Sequence, residues 1–304
     1  MKFRGHETFF IRKGWIGKGI RAIQKDHFVF SSKENNPMDV LGIGSNMVRS
    51  LHYWMQATGV ANDISYSKQK AMILTNFGKL VCDHDRYLEE MGTLFLLHYK
   101  LATNEKLATS WYYMFNHFQV SEFDQDDFVR GLSTFVTGKG EKLPSMRAMT
   151  DDFNCIIGTY VSRYEINQEK VSPENNIDCP LGELGLMTIC DRRKKLYHKA
   201  APPSENIDPW VTLAVIMDNA KGRSDISLNE LLNAPGNVGR IFNLDVITML
   251  EVLQNAESTG ILKIIRTAGL DIIRLNDHFE FNECVKKYYE SIEDGRVSRE
   301  NVNG

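Results

Sequence analysis

This 304-residue chain lacks most of the patterns that mark a protein class at sight. It has no run of about 18 apolar residues, and Met1-Lys2-Phe3-Arg4-Gly5-His6-Glu7 leads into no apolar segment. Neither a membrane span nor secretion is indicated, and a cytoplasmic protein with no membrane partner is expected. Its cysteines, Cys82, Cys155, Cys179, Cys190 and Cys284, are odd in number, scattered and without a C-x-x-C pair. They specify neither a disulfide framework nor a zinc or iron–sulfur site, and are expected to be reduced and mostly buried. The Gly-Lys-Ser/Thr ending of a phosphate-binding loop is missing, as are any Glu-x-Lys or Asp-x-Lys and any H-N-H cluster. The familiar signatures of nucleotide loops and metal-dependent nucleases are therefore absent.

What is present is the balance of a soluble globular protein, 42% hydrophobic and 25% charged, long enough for about two domains. The net charge of -3 conceals an asymmetry. Lys2, Arg4, Arg12, Lys13, Lys18, Arg21 and Lys25 face only Glu7 among the first 25 residues. A basic end of this kind neutralises phosphates while the acidic remainder faces solvent or protein.

The glycine-punctuated stretch Leu41-Gly42-Ile43-Gly44-Ser45-Asn46-Met47-Val48-Arg49 runs into an amphipathic helix. Read locally, it suits a tight turn capped by Ser45 or Asn46 before an ordinary core helix. Its context favours a DNA-facing element. Ile16, Ile20 and Ile23 space a first helix, Asn35-Asn36-Pro37 breaks the chain before a short second one, and a longer helix closes near Gly59. A hairpin follows, and a helix restarts after Leu74-Thr75, the layout of a winged helix-turn-helix. Val48, Leu51 and Met55 form the buried stripe, turning Asn46, Arg49, His52, Tyr53 and Gln56 outward, where such a helix meets the major groove. Asn and Gln pair adenine edges, and Arg pairs guanine edges or phosphate. The same face also suits packing on another domain, because winged helices serve as docking modules too.

The fold class expected is mainly α with small β wings. It comprises an N-terminal winged helix-turn-helix with a basic leader (1–82), a central helical domain (83–166), a linker and turn region (167–209), a C-terminal winged-helix-like domain (210–290) and a polar, frayed tail (291–304). Residues 85–101 and 110–118 are apolar nearly all round and read as buried helices. The acids at 124–127 and at Asp151-Asp152 each read as a helix start, and the polar segment 167–178 with Pro173 as the clearest linker. Arg192-Arg193-Lys194-Lys195 reads as a solvated run. In the C-terminal domain the long helix carries Asp245, Glu251 and Glu257 and no cation, so it is expected to bind protein or pack internally. Lys263, Arg266 and Arg274 leave its wing able to touch a DNA backbone.

Several stretches together resemble the SspB-like family of bacterial DNA phosphorothioation systems, which serve in phage defence. They are residues 3–10 with Arg12-Lys13-Gly14-Trp15, residues 41–54, Tyr87-Leu88-Glu89 with Gly92-Thr93-Leu94 and Leu97-His98, and Pro180-Leu181 with Glu183-Leu184-Gly185-Leu186. The resemblance implies a DNA-binding subunit on double-stranded DNA beside a cysteine desulfurase, an ATPase and an ATP-pyrophosphatase-like enzyme. It further implies metal-dependent nicking, with Mg or Mn as the cofactor. Charge and helix geometry nominate Arg12, Lys13, Lys18, Ser45, Asn46, Arg49, His52, Tyr53 and Gln56 for DNA. For catalysis the candidates are His6, Glu7, Asp83, Asp85, His98, Asp151 and Asp152, with His84 beside them, and they form a metal site only if the fold assembles them. His98-x-Lys100 followed by Glu105 also echoes phosphodiesterases that use a histidine nucleophile, although it lies in a helical apolar run. The alternative to both is a non-catalytic adaptor that docks the modification enzymes through its winged-helix domains.

Overall fold

The computed structural model describes residues 1–32, 35–66, 69–161, 179–267 and 270–303. The linker expected at 167–178 lies outside them. The described chain is mainly α-helical with small antiparallel sheets, and it divides into two compact units, Met1–Ala200 and Ala201–Gly304.

The first unit begins with a leader, residues 1–14, ahead of α1 (Trp15–Lys25). Ile16, Ile20 and Ile23 are buried on one face of α1, as their spacing predicts. Then come α2 (Pro37–Leu41) and α3 (Ser45–Ala57). The Asn36 side chain accepts the Met38 amide and Pro37 occupies the first turn of α2, while Gly42 at φ 60° stops it. These are the ordinary start and stop devices of a helix. A two-stranded hairpin, β1 (Ala61–Tyr66) and β2 (Gln69–Leu74), pairs Ala61 with Leu74 through to Tyr66 with Gln69. Next, α4 (Asn76–His84) is capped by Thr75, whose hydroxyl accepts the Gly78 amide. Gly78 must be glycine here, because a Cβ would stand 1.9 Å from the Val60 carbonyl oxygen.

Helices α5 (Met91–Ala102), α6 (Thr109–Asn116), α7 (Gln125–Gly138) and α8 (Met146–Tyr160) build the core of this unit. Along α5, Gly92 to Tyr99 are all buried, as its continuous apolar run requires. Trp54, Phe95, Trp111, Phe115, Phe123, Phe128 and Tyr160 are the large aromatic side chains sealed inside. Each contributes on the order of 1.5–3 kcal/mol through the apolar area it removes from water. Asp124 and Asp127 form a reciprocal capping box at the start of α7, as the acids there predict. The second acidic start is corrected. The helix carrying Asp151 and Asp152 begins at Met146 under a Ser145 cap, so both aspartates lie mid-helix and are free for tertiary bonds. A second small sheet orders β3 (Glu122–Phe123), β5 (Leu196–Lys199) and β4 (Met187–Asp191), with β5 in the middle.

The second unit contains α9 (Pro209–Ala220), β6 (Asp225–Ser227), α10 (Leu228–Asn233), α11 (Val238–Ile241) and α12 (Val246–Glu257). It closes with β7 (Leu262–Thr267), β8 (Leu270–Leu275) and α13 (Phe281–Asn303). Its sheet has the order β6-β8-β7, all antiparallel. Asp245 caps α12 by accepting the Thr248 amide, and Val211 to Met217 of α9 are all buried. The tail expected to fray from residue 291 belongs to the backbone of α13. No helix among the described residues is long and apolar enough to cross a membrane.

Candidate nucleic-acid interface

The leader is not a loose basic arm; it is strapped onto α3 and α8. His6 is fully buried, with Nε2 2.8 Å from Oδ1 of Asp152. Its Nδ1 accepts the Thr8 amide at 3.0 Å, which places the ring proton on Nε2, where it is donated to Asp152. Asp152 also accepts the Arg4 amide at 2.7 Å on Oδ1 and the Ser110 hydroxyl at 2.6 Å on Oδ2. The His6 ring stacks near Trp54 and meets the edge of Trp111, with centroids 6.2 and 5.7 Å away. The Phe9 carbonyl accepts the Trp54 indole N–H at 2.9 Å. Arg4, Glu7 and Thr8 adopt positive φ (56°, 50° and 67°), a conformation that costs roughly 1–2 kcal/mol per residue. The buried bonds on either side hold the leader there. Gly5 permits the closest approach, since a Cβ would come within 2.5 Å of the Tyr53 ring.

This strap corrects the expected outward face of α3. Tyr53 is buried at 3% exposure, facing Gly5 and His6 at the floor of the cleft between the leader and α3, and is not turned out to solvent. Burial first, then the nearby Asp152 and Cys155, pushes its phenol well above the ordinary value. His52 is half-buried and bonded through Nε2 to Asp63 of β1 at 2.9 Å, and Gln56 is held on His52. The exposed part of the expected face is its first turn, Ser45, Asn46 and Arg49. Arg49 bonds Glu7 at 3.1 Å and also contacts the Asn46 side chain.

Two clefts flank this turn. One, of about 350 Å³, lies between the leader and α3 and includes Lys2, Arg4, Glu7, Arg49 and His52. The other, of about 390 Å³, is lined by Lys18, Arg21 and Lys25 of α1 and by Asp39, Leu41 and Gly42. The Lys18 ammonium donates to the Leu41 carbonyl at 3.0 Å, stitching α1 to the end of α2. Sequence reasoning counted Arg21 and Lys25 in the basic end but nominated only Lys18 of the three for DNA; the i, i+3, i+7 spacing was the available signal that they share a face. Among the described residues no side chain caps α3, so its first amides are open. Arg12 is half-buried over the Phe9 and Trp15 rings, whereas Lys13 is exposed.

The catalytic candidates do not converge. Asp85 is buried and accepts the Glu89 and Glu90 amides, which makes it a turn-forming carboxylate. His98 is fully buried, 2.7 Å from the Tyr160 hydroxyl, which removes the histidine-nucleophile reading. Asp151 pairs with Arg4 at 2.8 Å, Glu7 with Arg49, and Asp83 and His84 are exposed on α4. Only His6 and Asp152 are brought together. Their bonding does not fit magnesium, which demands near-octahedral oxygen donors, because Asp152 already accepts three hydrogen bonds in a closed site.

Residues 3–289 match the model of the family described as DUF4007, protein of unknown function. The chain belongs to this family. It is also similar to two solved structures, of SspB and of magnesium-bound SspB, each with 24% identity and a TM-score of 0.82. Each likeness covers 96% of this chain and 88% of the other, and shows a shared SspB-like fold. No curated protein matches the chain.

Proposed function

We propose that this protein is the DNA-binding component of a bacterial phosphorothioation defence system, seating duplex DNA on α1 and the first turn of α3 as a winged helix-turn-helix. The observation that carries the reading is the uncapped start of α3, with Ser45, Asn46 and Arg49 exposed, three residues after Gly42, which lines the cleft of Lys18, Arg21 and Lys25. Open amides at a helix start and clustered cations both favour phosphate oxygens. The Arg49–Glu7 pair is exposed, so it holds Arg49 by only about 0–1 kcal/mol and yields readily to a phosphate. In this reading the hairpin β1–β2 serves as the wing. The system context, with a cysteine desulfurase, an ATPase and an ATP-pyrophosphatase-like enzyme as partners, rests on the SspB-like fold. Strand nicking belongs to the same context, but none of the candidate carboxylates is assigned to it. Duplex binding measured across a salt series tests the reading: affinity that falls steeply with salt supports it, and salt-independent or absent binding overturns it.

One observation favours the adaptor reading for the second unit. Val246 and Ile247 open α12 at 50% and 71% exposure beside Asp245, a composition suited to protein and repelled by phosphate.

A further inference from the structure

We infer a zinc-type metal site on the β3-β5-β4 sheet, formed by Glu122, Cys190 and His198. One ligand atom from each of the three lies within 4.8 Å of the others, and no other group of three His, Cys, Asp or Glu side chains among the described residues gathers in this way. The topology explains the convergence. Glu122 of β3 and Thr188 of β4 pair with His198 of β5 from either side, and directly opposed residues share a face. Cys190 lies two residues beyond Thr188, which returns it to that face. The register shifts between Ile189, paired with Tyr197, and Asp191, paired with Leu196. Cys190 is thus the extra residue of a bulge, a device that re-aims a side chain.

The donor set selects the ion. A thiolate and an imidazole favour zinc over magnesium or calcium, and the carboxylate completes a mixed S, N, O set. Binding displaces the thiol proton to solvent, and the dication then neutralises two adjacent anions. The Nδ1 atom of His198 is buried with no hydrogen-bond partner, so that atom is committed to no other contact. Three protein ligands leave one tetrahedral position open to water. The sheet is exposed at Glu122 and Cys190, so the ion has a path in.

The full-length protein, titrated with Co²⁺ alone and then with Zn²⁺, tests this. Wild type should bind one equivalent of Co²⁺ with a sulfur-to-cobalt charge-transfer band and tetrahedral visible bands, and Zn²⁺ should displace the cobalt. Cys190→Ser should abolish the charge-transfer band. Glu122→Gln and His198→Ala should weaken binding by more than the ~10–100-fold that loss of an outer partner costs. A wild type with no charge-transfer band overturns the site, as does a band that survives in Cys190→Ser or unchanged affinity in both other variants. Circular dichroism of each metal-free variant checks the fold, and Glu122→Gln, exposed and nearly isosteric, keeps the test decisive if another variant unfolds.

Discussion

His6 donates from Nε2 to Oδ1 of Asp152 across 2.8 Å, and that bond joins the basic leader to the middle of α8 over 146 positions of chain. Asp152→Ala deletes the acceptor for His6, the Arg4 amide and the Ser110 hydroxyl together. Loss of one partner from a buried polar cluster costs about 3–5 kcal/mol when charge is involved. Urea unfolding should show a loss of that order, with Asp152→Asn falling between it and wild type because the Oδ1 acceptor survives. A loss under ~1 kcal/mol in Asp152→Ala would show that the strap does not anchor the fold.

Gly5→Ala should destabilise by ~1–3 kcal/mol, the usual cost of forcing an extra methyl into packed structure. The added carbon would stand 2.5 and 2.6 Å from two atoms of the Tyr53 ring. The penalty should shrink in a Tyr53→Leu background, and an equal penalty in both backgrounds would place the strain elsewhere.

Arg49 and Glu7 should shift DNA affinity in opposite directions. Arg49→Ala should weaken duplex binding and reduce the slope of log affinity against log salt by about 0.9, the share of one phosphate contact. Glu7→Gln frees the guanidinium from its carboxylate partner and should tighten binding by up to about fivefold, the equivalent of an exposed pair worth ~1 kcal/mol. Looser binding by Glu7→Gln would mean that the pair preorganises Arg49 rather than competing with DNA.

The second unit should lose stability in acid. Its hydrogen bond and pairing with Arg274 hold the Asp225 carboxyl below the ordinary 3.8, and Arg223 holds Glu230 below 4.5. The amide and hydroxyl of Thr248 likewise depress Asp245. A depressed folded-state pKa gives stability that is present above the unfolded value and lost as pH falls through the folded one. Asp208 opposes this, because burial raises its carboxyl and acid relieves the strain. Melting temperatures should therefore hold from neutrality to about pH 5 and fall below pH 4, and the fall should be smaller in Arg274→Ala, which has already lost the Asp225 partner. An equal fall in both would remove the pair from the account.

The helices legible in the sequence were those whose information is local. The Ile16, Ile20, Ile23 stripe, the Asn36-Pro37 start, the Gly42 stop and the Asp124 capping box each work through steps of four residues or fewer. The candidate site was legible at its first turn, where Ser45, Asn46 and Arg49 are exposed as expected. It misled at Tyr53, because the segment that covers this side chain lies some fifty residues earlier, and helical periodicity knows only its own helix. Asp151 and Asp152 misled in the same way: an acidic pair looks like a helix start until a buried histidine from the leader is placed beside it.

By itself the sequence determined the principal helices, the hairpins β1–β2 and β7–β8, the basic character of the leader and the SspB-like resemblance, since propensity, capping and charge are properties of short segments; the β3-β5-β4 sheet, in stretches read as a helical domain and a turn region, it did not show. Only the tertiary structure decided which polar groups are spent on the fold and which remain for ligands. His6 and Asp152 are consumed holding the leader, Asp85 and His98 are buried in their own bonds, Lys18 ties α1 to the end of α2, and Arg21 and Lys25 of α1 are left exposed. It also brought Glu122, Cys190 and His198 together from three strands. No spacing along the chain records that meeting, because strand pairing and a one-residue bulge create it.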